Sequence, residues 1–385
     1  MYGDYPVPQA LIHTARVGQP TAAEPEEAAA YEREQEAGWE KMMDEPSPNG
    51  KEWLHGLYRG NLDWLVPGTI FLTKHGSQAY GTSLPTSDTD YKGVAIPPAH
   101  YFMGFHQRFE QAEIKEPDLV IYDIRKFFDL AADCNPNIIE VLWTDPADHV
   151  IRDALAEDLL AHRDLFISRK ARWTFSGYAM SQLKRIKLHR RWLLSPPKEE
   201  PARRSFGLPE STMVPAEHRG LVHAEMERRG ANVGKSATEE EWCNQAAGLG
   251  IPAEVVAVLW RERSYHNARK EWEQYQNWRA TRNPARAQLE AAHGYDCKHA
   301  THLVRLLRMG REILRGEGVI VKRPDAAELL EIRNGAWSFD RLIAWAEEQE
   351  TAMETEYTTS PLRQAPDRAK LDALCVRIVE AGLRR

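Results

Sequence analysis

Cysteine is scarce. The chain has four, Cys134, Cys243, Cys297 and Cys375, far apart and without any Cys-x-x-Cys pairing. That argues against a disulfide framework or a zinc ribbon and suits a reducing compartment. Long apolar runs are also missing: none approaches the ~20 residues that a bilayer requires. Met1 to Pro8 has neither the charged start nor the apolar stretch of a secretory signal. Positive charge is not in excess, since 50 Lys and Arg against 57 Asp and Glu leave −7. The balance is wrong for a protein that coats nucleic acid, although it permits a local basic groove. No internal repeat stands out. These absences together predict a soluble, cytoplasmic protein with no membrane partner.

What is present is an ordinary globular composition, 28% charged and 42% hydrophobic over 385 residues, long enough for one large or two ordinary domains. Residues 1–50 are polar and read as an N-terminal arm, with a helix expected over the acidic, Ala-rich stretch Glu24 to Met43 and a stop at Pro46 to Gly50. Residues 51–152 mix strands and helices. Thr69-Ile70-Phe71-Leu72-Thr73 is β-branched and aromatic and predicts a buried strand. A second strand is expected over Asp88 to Ile96, stopped by Pro97-Pro98, and a third over Asp118 to Tyr122, leading into a helix from Ile124 to Ala132. Residues 153–385 read as a large helical domain interrupted by a proline-rich, charged loop at 195–209. Its long helices are expected at Trp260 to Arg282 and Gly294 to Leu314, with a short amphipathic one from Asp367 to Arg385. The fold class is therefore α+β, a short mixed sheet with helices followed by a helical domain.

Chemistry is concentrated in the first part. Side chains two apart on a strand share a face, so Asp88 and Asp90 would aim two carboxylates at one point. Such a pair repels itself unless a cation intervenes, and hard divalent cations prefer oxygen ligands. An Asp-x-Asp alone is weak support. Here Gly76-Ser77 follows a strong strand, where exposed amides and a hydroxyl suit phosphate oxygens. Gly81, Pro85 and Ser87 suit a tight return from that turn. Asp118 opens the next strand and offers a third carboxylate. Three acids can hold two Mg²⁺ or Mn²⁺ ions, enough to neutralise a triphosphate and activate a hydroxyl. Asp123 competes with Asp118 for the third place. Parity puts Asp118, Val120 and Tyr122 on one face and Asp123 on the other, and spacing alone does not choose between them.

The ordered run Gly76-Ser77-Gln78-Ala79-Tyr80-Gly81-Thr82 and Ser87-Asp88-Thr89-Asp90-Tyr91-Lys92-Gly93 resembles the signature of the DNA polymerase β-like nucleotidyltransferases. Asp118 to Tyr122, Arg125-Lys126-Phe127, and Asn135-Pro136-Asn137 with Glu140 and Leu142 are similar to the branch associated with RNA-repair operons, also found in phages. The resemblance covers Asn61 to about Trp143 well and the later helices more loosely. It implies that residues 51–152 form a minimal palm, with metals on Asp88, Asp90 and a later acid placed at Asp118. It implies a nucleoside triphosphate substrate, usually ATP. A hydroxyl attacks the α-phosphate and pyrophosphate leaves. Gly76, Ser77, Tyr80 and Ser87 then belong to the nucleotide site.

Two basic stretches remain. On a helix, Ala300, Leu303, Val304, Leu307 and Leu314 form an apolar stripe, and Lys298, His302 and Arg305 fall nearly opposite. They are expected to face the triphosphate from across the acids. Lys184 to Arg191 is the densest basic cluster, followed by Trp192, with Trp272 and Trp278 later. Cations interleaved with aromatics can bind single-stranded nucleic acid, although tryptophans in an ordinary core would look the same. An RNA acceptor is accordingly an expectation drawn mainly from the operon association. The competing readings are a nucleotide-binding sensor without turnover, an enzyme that nucleotidylates a protein or small molecule, and a glycosyltransferase. The last expects a longer nucleotide-sugar domain before its Asp-x-Asp.

Overall fold

The computed structural model describes Ala15–Arg16, residues 50–212, Ala224, Arg228, residues 238–248 and residues 252–385. The helix expected over Glu24 to Met43 lies outside the described residues. Six strands, β1 (Ala15–Arg16), β2 (Thr69–His75), β3 (Asp90–Ala95), β4 (Gln111–Ile114), β5 (Leu119–Asp123) and β6 (His149–Arg152), make one mixed sheet in the order β1-β4-β5-β3-β2-β6. β3 and β5 run parallel; β2 is antiparallel to both β3 and β6, and β4 is antiparallel to β5. The helices used below are α1 (Gly50–Leu57), α2 (Gly76–Tyr80), α3 (Ile124–Ala132), α4 (Ala171–Leu194), α5 (Ala253–Thr281), α6 (Cys297–Leu314), α7 (Ala326–Arg333), α8 (Phe339–Thr359) and α9 (Arg368–Leu383). The expected α+β order, a short mixed sheet followed by a largely helical region, is what the chain forms.

Register decides which side chains share a face. Leu72, Tyr91, Ala95, Leu119 and Ile121 enter one core with Leu54, Leu62, Leu65 and Phe109, and Trp53 and Trp64 pack against it. The opposite face is different in kind. It carries Thr73 and His75 from β2, Asp90 and Lys92 from β3, and Val120 and Tyr122 from β5. A row of polar side chains on a partly covered sheet face is expensive unless it is paired or serves a ligand.

The strand expected from Asp88 begins only at Asp90. β2 turns into α2 at Gly76, and His75 is the last residue that pairs, opposite Asp90. No β2 backbone remains for residues 88 and 89 to pair with. The described residues fall into two compact units, one running up to Ile186 and resuming at Cys297–Arg385, the other Lys187–Asp296. The step at 152/153 therefore marks where strands end, and the C-terminal helices belong to the same unit as the sheet.

Candidate active site

Three chain ends meet at one edge of the sheet. His75 at the end of β2 pairs with Asp90 at the start of β3, and Tyr91 pairs with Leu119 at the start of parallel β5. The Tyr91 N–H donates to the Asp118 carbonyl at 2.8 Å, so Asp118 lies beside Asp90. Gly76 is the next residue after His75 and has φ +63°. A Cβ there would come within 2.0 Å of Asp90 Oδ2. Glycine is favoured there by its left-handed backbone, and any side chain would push the Asp90 carboxylate aside. The same ladder puts Asp118 and Asp123 on opposite faces, as parity predicts. Asp123 pairs with Ala95 and points into the core side, 2% exposed. Its carboxylate caps α3, accepting from the Arg125 and Lys126 amides at 2.7 and 3.3 Å, and it pairs with the Arg125 guanidinium at 3.1 Å.

Asp90 is half-buried, and its carboxyl is held above the ordinary aspartate range. Burial is the main cause, followed by the negative charge of Asp118, with a smaller push from Asp88; Lys92 and Lys298 oppose it. Asp88 and Asp118 are exposed. Asp88 acts from the irregular segment before β3 and not from the ladder. The three acids therefore share an electrostatic neighbourhood that is open to solvent and that Lys92 and Lys298 only partly offset.

Behind this edge lies a buried polar cluster. Glu140, fully buried, accepts from Arg305 Nη1 at 2.5 Å and from the Tyr80 hydroxyl at 2.5 Å. The Arg305 guanidinium also lies 3.8 Å from the centroid of the Tyr80 ring. His75 Nε2 is 3.6 Å from Glu140. Burial, with Lys92 and Arg305 nearby, pushes the His75 imidazole well below its ordinary range, so it is neutral and the approach is not an ion pair. Two expectations are corrected here. Arg305 does not face a phosphate site: it is 5% exposed and committed to Glu140. Tyr80 is likewise buried, with its hydroxyl spent on Glu140. The reason is that α6 is covered on more than its apolar stripe, burying Thr301, Arg305 and Glu312 as well. The covered part of α6 extends to Arg305, and its open side is left to Lys298 and the partly buried His302.

Lys298 and His302 fare differently. Lys298 is exposed and close enough to lower the Asp90 carboxyl. His302 is partly buried, and burial followed by Arg305, His299, Lys298 and Arg333 pushes its imidazole down to about 3. It is therefore a neutral donor or acceptor among cations, not the cation that the helix pattern suggested. Arg333 on α7 donates to the Thr82 carbonyl at 3.4 Å, and the Arg323 amide donates to the Tyr80 carbonyl at 3.1 Å. Both bind the α2 turn to the helical part of this unit. The Ser87 hydroxyl accepts from the Leu84 amide at 2.9 Å and closes the return loop, leaving its own proton to donate elsewhere.

In the unit Lys187–Asp296, Trp192 is 3% exposed and packs on His189, Tyr275 and Trp278 at centroid distances of 5.5, 5.7 and 5.4 Å. Its indole N–H donates to Glu271 at 3.2 Å. Trp192 is therefore a core residue, whereas Trp272 and Trp278 are only partly buried. Lys184, Arg185, Lys187 and Arg191 are exposed.

Lys92 and His75 were missed as site residues. Lys92 had a signal, because it stands two residues from Asp90 on one strand and must share its face. His75 had one too, as the last residue before Gly76. The pairing of Glu140 with Arg305 spans 165 positions and left no local trace.

No helix among the described residues is long and apolar enough to cross a membrane. No solved structure matches the chain. An uncharacterised 38.9 kDa protein from the nrdC-mobD intergenic region of Enterobacteria phage T4 is 32% identical over 88 residues, which is 20% of this chain and 26% of that protein. The chain thus spans about a quarter of that relative's length. The model of the RNA repair pathway DNA polymerase beta family matches residues 63–194, a range that contains Gly76, all three acids, Lys92 and Glu140. By that match, residues 63–194 are similar to the RNA repair pathway DNA polymerase beta family.

Proposed function

We propose that the protein is a metal-dependent nucleotidyltransferase, moving a nucleoside monophosphate from a triphosphate, with ATP the first to test, to a hydroxyl acceptor and releasing pyrophosphate. The observation that carries this is the place where Asp90, at the start of β3, and Asp118, just before parallel β5, lie side by side with Gly76 against Asp90. The donor set suits Mg²⁺ or Mn²⁺: it is all carboxylate, and burial, followed by the charge of Asp118, raises the Asp90 carboxyl. Asp88, Asp90 and Asp118 would hold the cation, or two of them. A bound cation would supply charge to offset the α-phosphate and make an attacking hydroxyl more acidic.

The remaining work falls to the chain. Gly76 and Ser77 offer amides and a hydroxyl to the phosphates. Lys298 balances the triphosphate's charge from α6, with neutral His302 as a hydrogen-bond partner. Asp118, the more exposed of the adjacent pair, accepts the acceptor hydroxyl's proton at a carboxylate oxygen. The acceptor oxygen bonds to the α-phosphorus as the bond to the bridging oxygen breaks, and pyrophosphate carries away the electron pair. Similarity to an RNA repair pathway family supports an RNA end as the acceptor.

The test is to incubate the protein with Mg²⁺ or Mn²⁺ and each α-labelled triphosphate, offering RNA and lysate protein as acceptors. Label on RNA that disappears in Asp88→Ala, Asp90→Ala and Asp118→Ala supports this reading. Label on protein replaces the acceptor. Nucleotide binding without pyrophosphate release under any condition sinks the enzyme and leaves a sensor.

A further inference from the structure

Lys92 is the cation that stands next to Asp90 on the acid-bearing face of the sheet; Arg152, on the same face at β6, is paired with Glu157. Lys92 lies two residues from Asp90 on β3, on the same face, at roughly 7 Å along the strand. On β5 the register sets Val120 beside it, next to Asp118's end of the strand. On β2 it faces Thr73, and Asp90 faces His75, which is neutral. The ammonium donates to the Asn137 carbonyl at 3.0 Å. A carbonyl positions that charge without cancelling it. The nearest buried acid, Glu140, is already spent on Arg305 and Tyr80. Lys92 therefore holds a positive charge close enough to be felt by the Asp90 carboxyl, which it lowers.

We infer that Lys92 is a positioning residue that acts as a resident counter-cation, holding the two carboxylates together while keeping their grip on a free divalent cation weak. The cation is then retained only in company with the triphosphate, whose oxygens complete its ligands and whose charge outweighs that of Lys92. This rests on the acid edge being a metal site, as proposed above. A unit charge roughly 7 Å from a divalent ion weakens its binding on the order of five- to tenfold at near-aqueous screening.

Sign distinguishes this from a packing role. Free Mn²⁺ can be followed by its magnetic resonance signal on titration into the full chain, with and without an ATP analogue that cannot be cleaved between its α- and β-phosphates. The wild type should bind Mn²⁺ weakly alone and tighter with the analogue. Lys92→Met and Lys92→Gln should bind Mn²⁺ about fivefold tighter without nucleotide, and the analogue should add less. Lys92→Arg, which keeps the charge, should stay within about twofold of the wild type. Equal or weaker Mn²⁺ binding by folded Lys92→Met or Lys92→Gln overturns the inference, as does a Lys92→Arg variant that behaves like Lys92→Met. Asp90→Asn and Asp118→Asn serve as the control. If they bind Mn²⁺ as the wild type does, the proposed metal edge itself fails, a result separate from any change at Lys92.

Discussion

Two charged clusters occupy the sheet-bearing unit, and they are balanced in opposite ways. Around Glu140 a fully buried carboxylate meets a guanidinium, a phenol and a neutral imidazole, and both of its oxygens are paired, although His75 Nε2 and Arg305 Nε beside it have no hydrogen-bond partner among the described residues. At the sheet edge Asp90 is only half-buried, yet its neighbours Asp118 and Asp88 add to its burden. The deeper group is the satisfied one. Where a protein must only stand, it pairs its charges; where it leaves like charges together in reach of solvent, a ligand is the natural remedy.

The comparison is broken most severely by removing an acid. Asp90→Ala or Asp118→Ala should lower label transfer about 10³-fold, measured at saturating triphosphate, while circular dichroism still reports the native helix content. Retained transfer in either variant would put the acid edge outside the chemistry. Arg305→Ala, in the buried cluster, should instead destabilise the fold by about 3–5 kcal/mol, because Glu140 is left charged and buried. Urea unfolding measures it, and a double replacement of Glu140 and Arg305 by apolar residues should recover much of the loss. Asp123→Ala removes the α3 cap and the Arg125 pair, for about 2 kcal/mol, and what folds should keep its activity per molecule. Losing activity without losing stability would reinstate Asp123 as the third acid.

The smallest effect concerns pH. Because the Asp90 carboxyl titrates above its ordinary value of 3.8 in the folded chain, the folded state holds that proton more tightly than the unfolded state. Its unfavourable contribution is absent below the ordinary value and grows as pH rises through the raised one. Asp90→Asn should therefore melt higher than the wild type at neutral pH, and the gap should close on acidification. Added Mg²⁺ should raise the wild-type melting temperature and leave that of the variant unmoved.

Much of this contrast was legible in the sequence, and unevenly. α3 runs over Ile124–Ala132 as its pattern indicated, since Asp123 is a strong local cap. β2 and β5 were legible from their β-branched runs, and parity alone separated Asp118 from Asp123. β4 and β6 are four residues each and gave no period to detect. Asp88 was placed on a strand because spacing cannot reveal that β2 has no backbone left to pair with it. Arg305 was misplaced because helical periodicity identifies two faces but not how many neighbours cover them. For the Trp192 cluster, only packing could distinguish a buried indole from a stacking platform.

The contact between Gly76 and Asp90 Oδ2 has a consequence for sequence drift. The turn offered to phosphate and the acid offered to metal touch, so neither can be retuned alone. A larger residue at 76 displaces the carboxylate, and any shift of the β3 backbone moves the turn. Relatives that keep the activity should vary at Gln78, which is only partly buried, before they vary at Gly76. If the proposed function holds, Gly76→Ala should lower label transfer with every acid still in place.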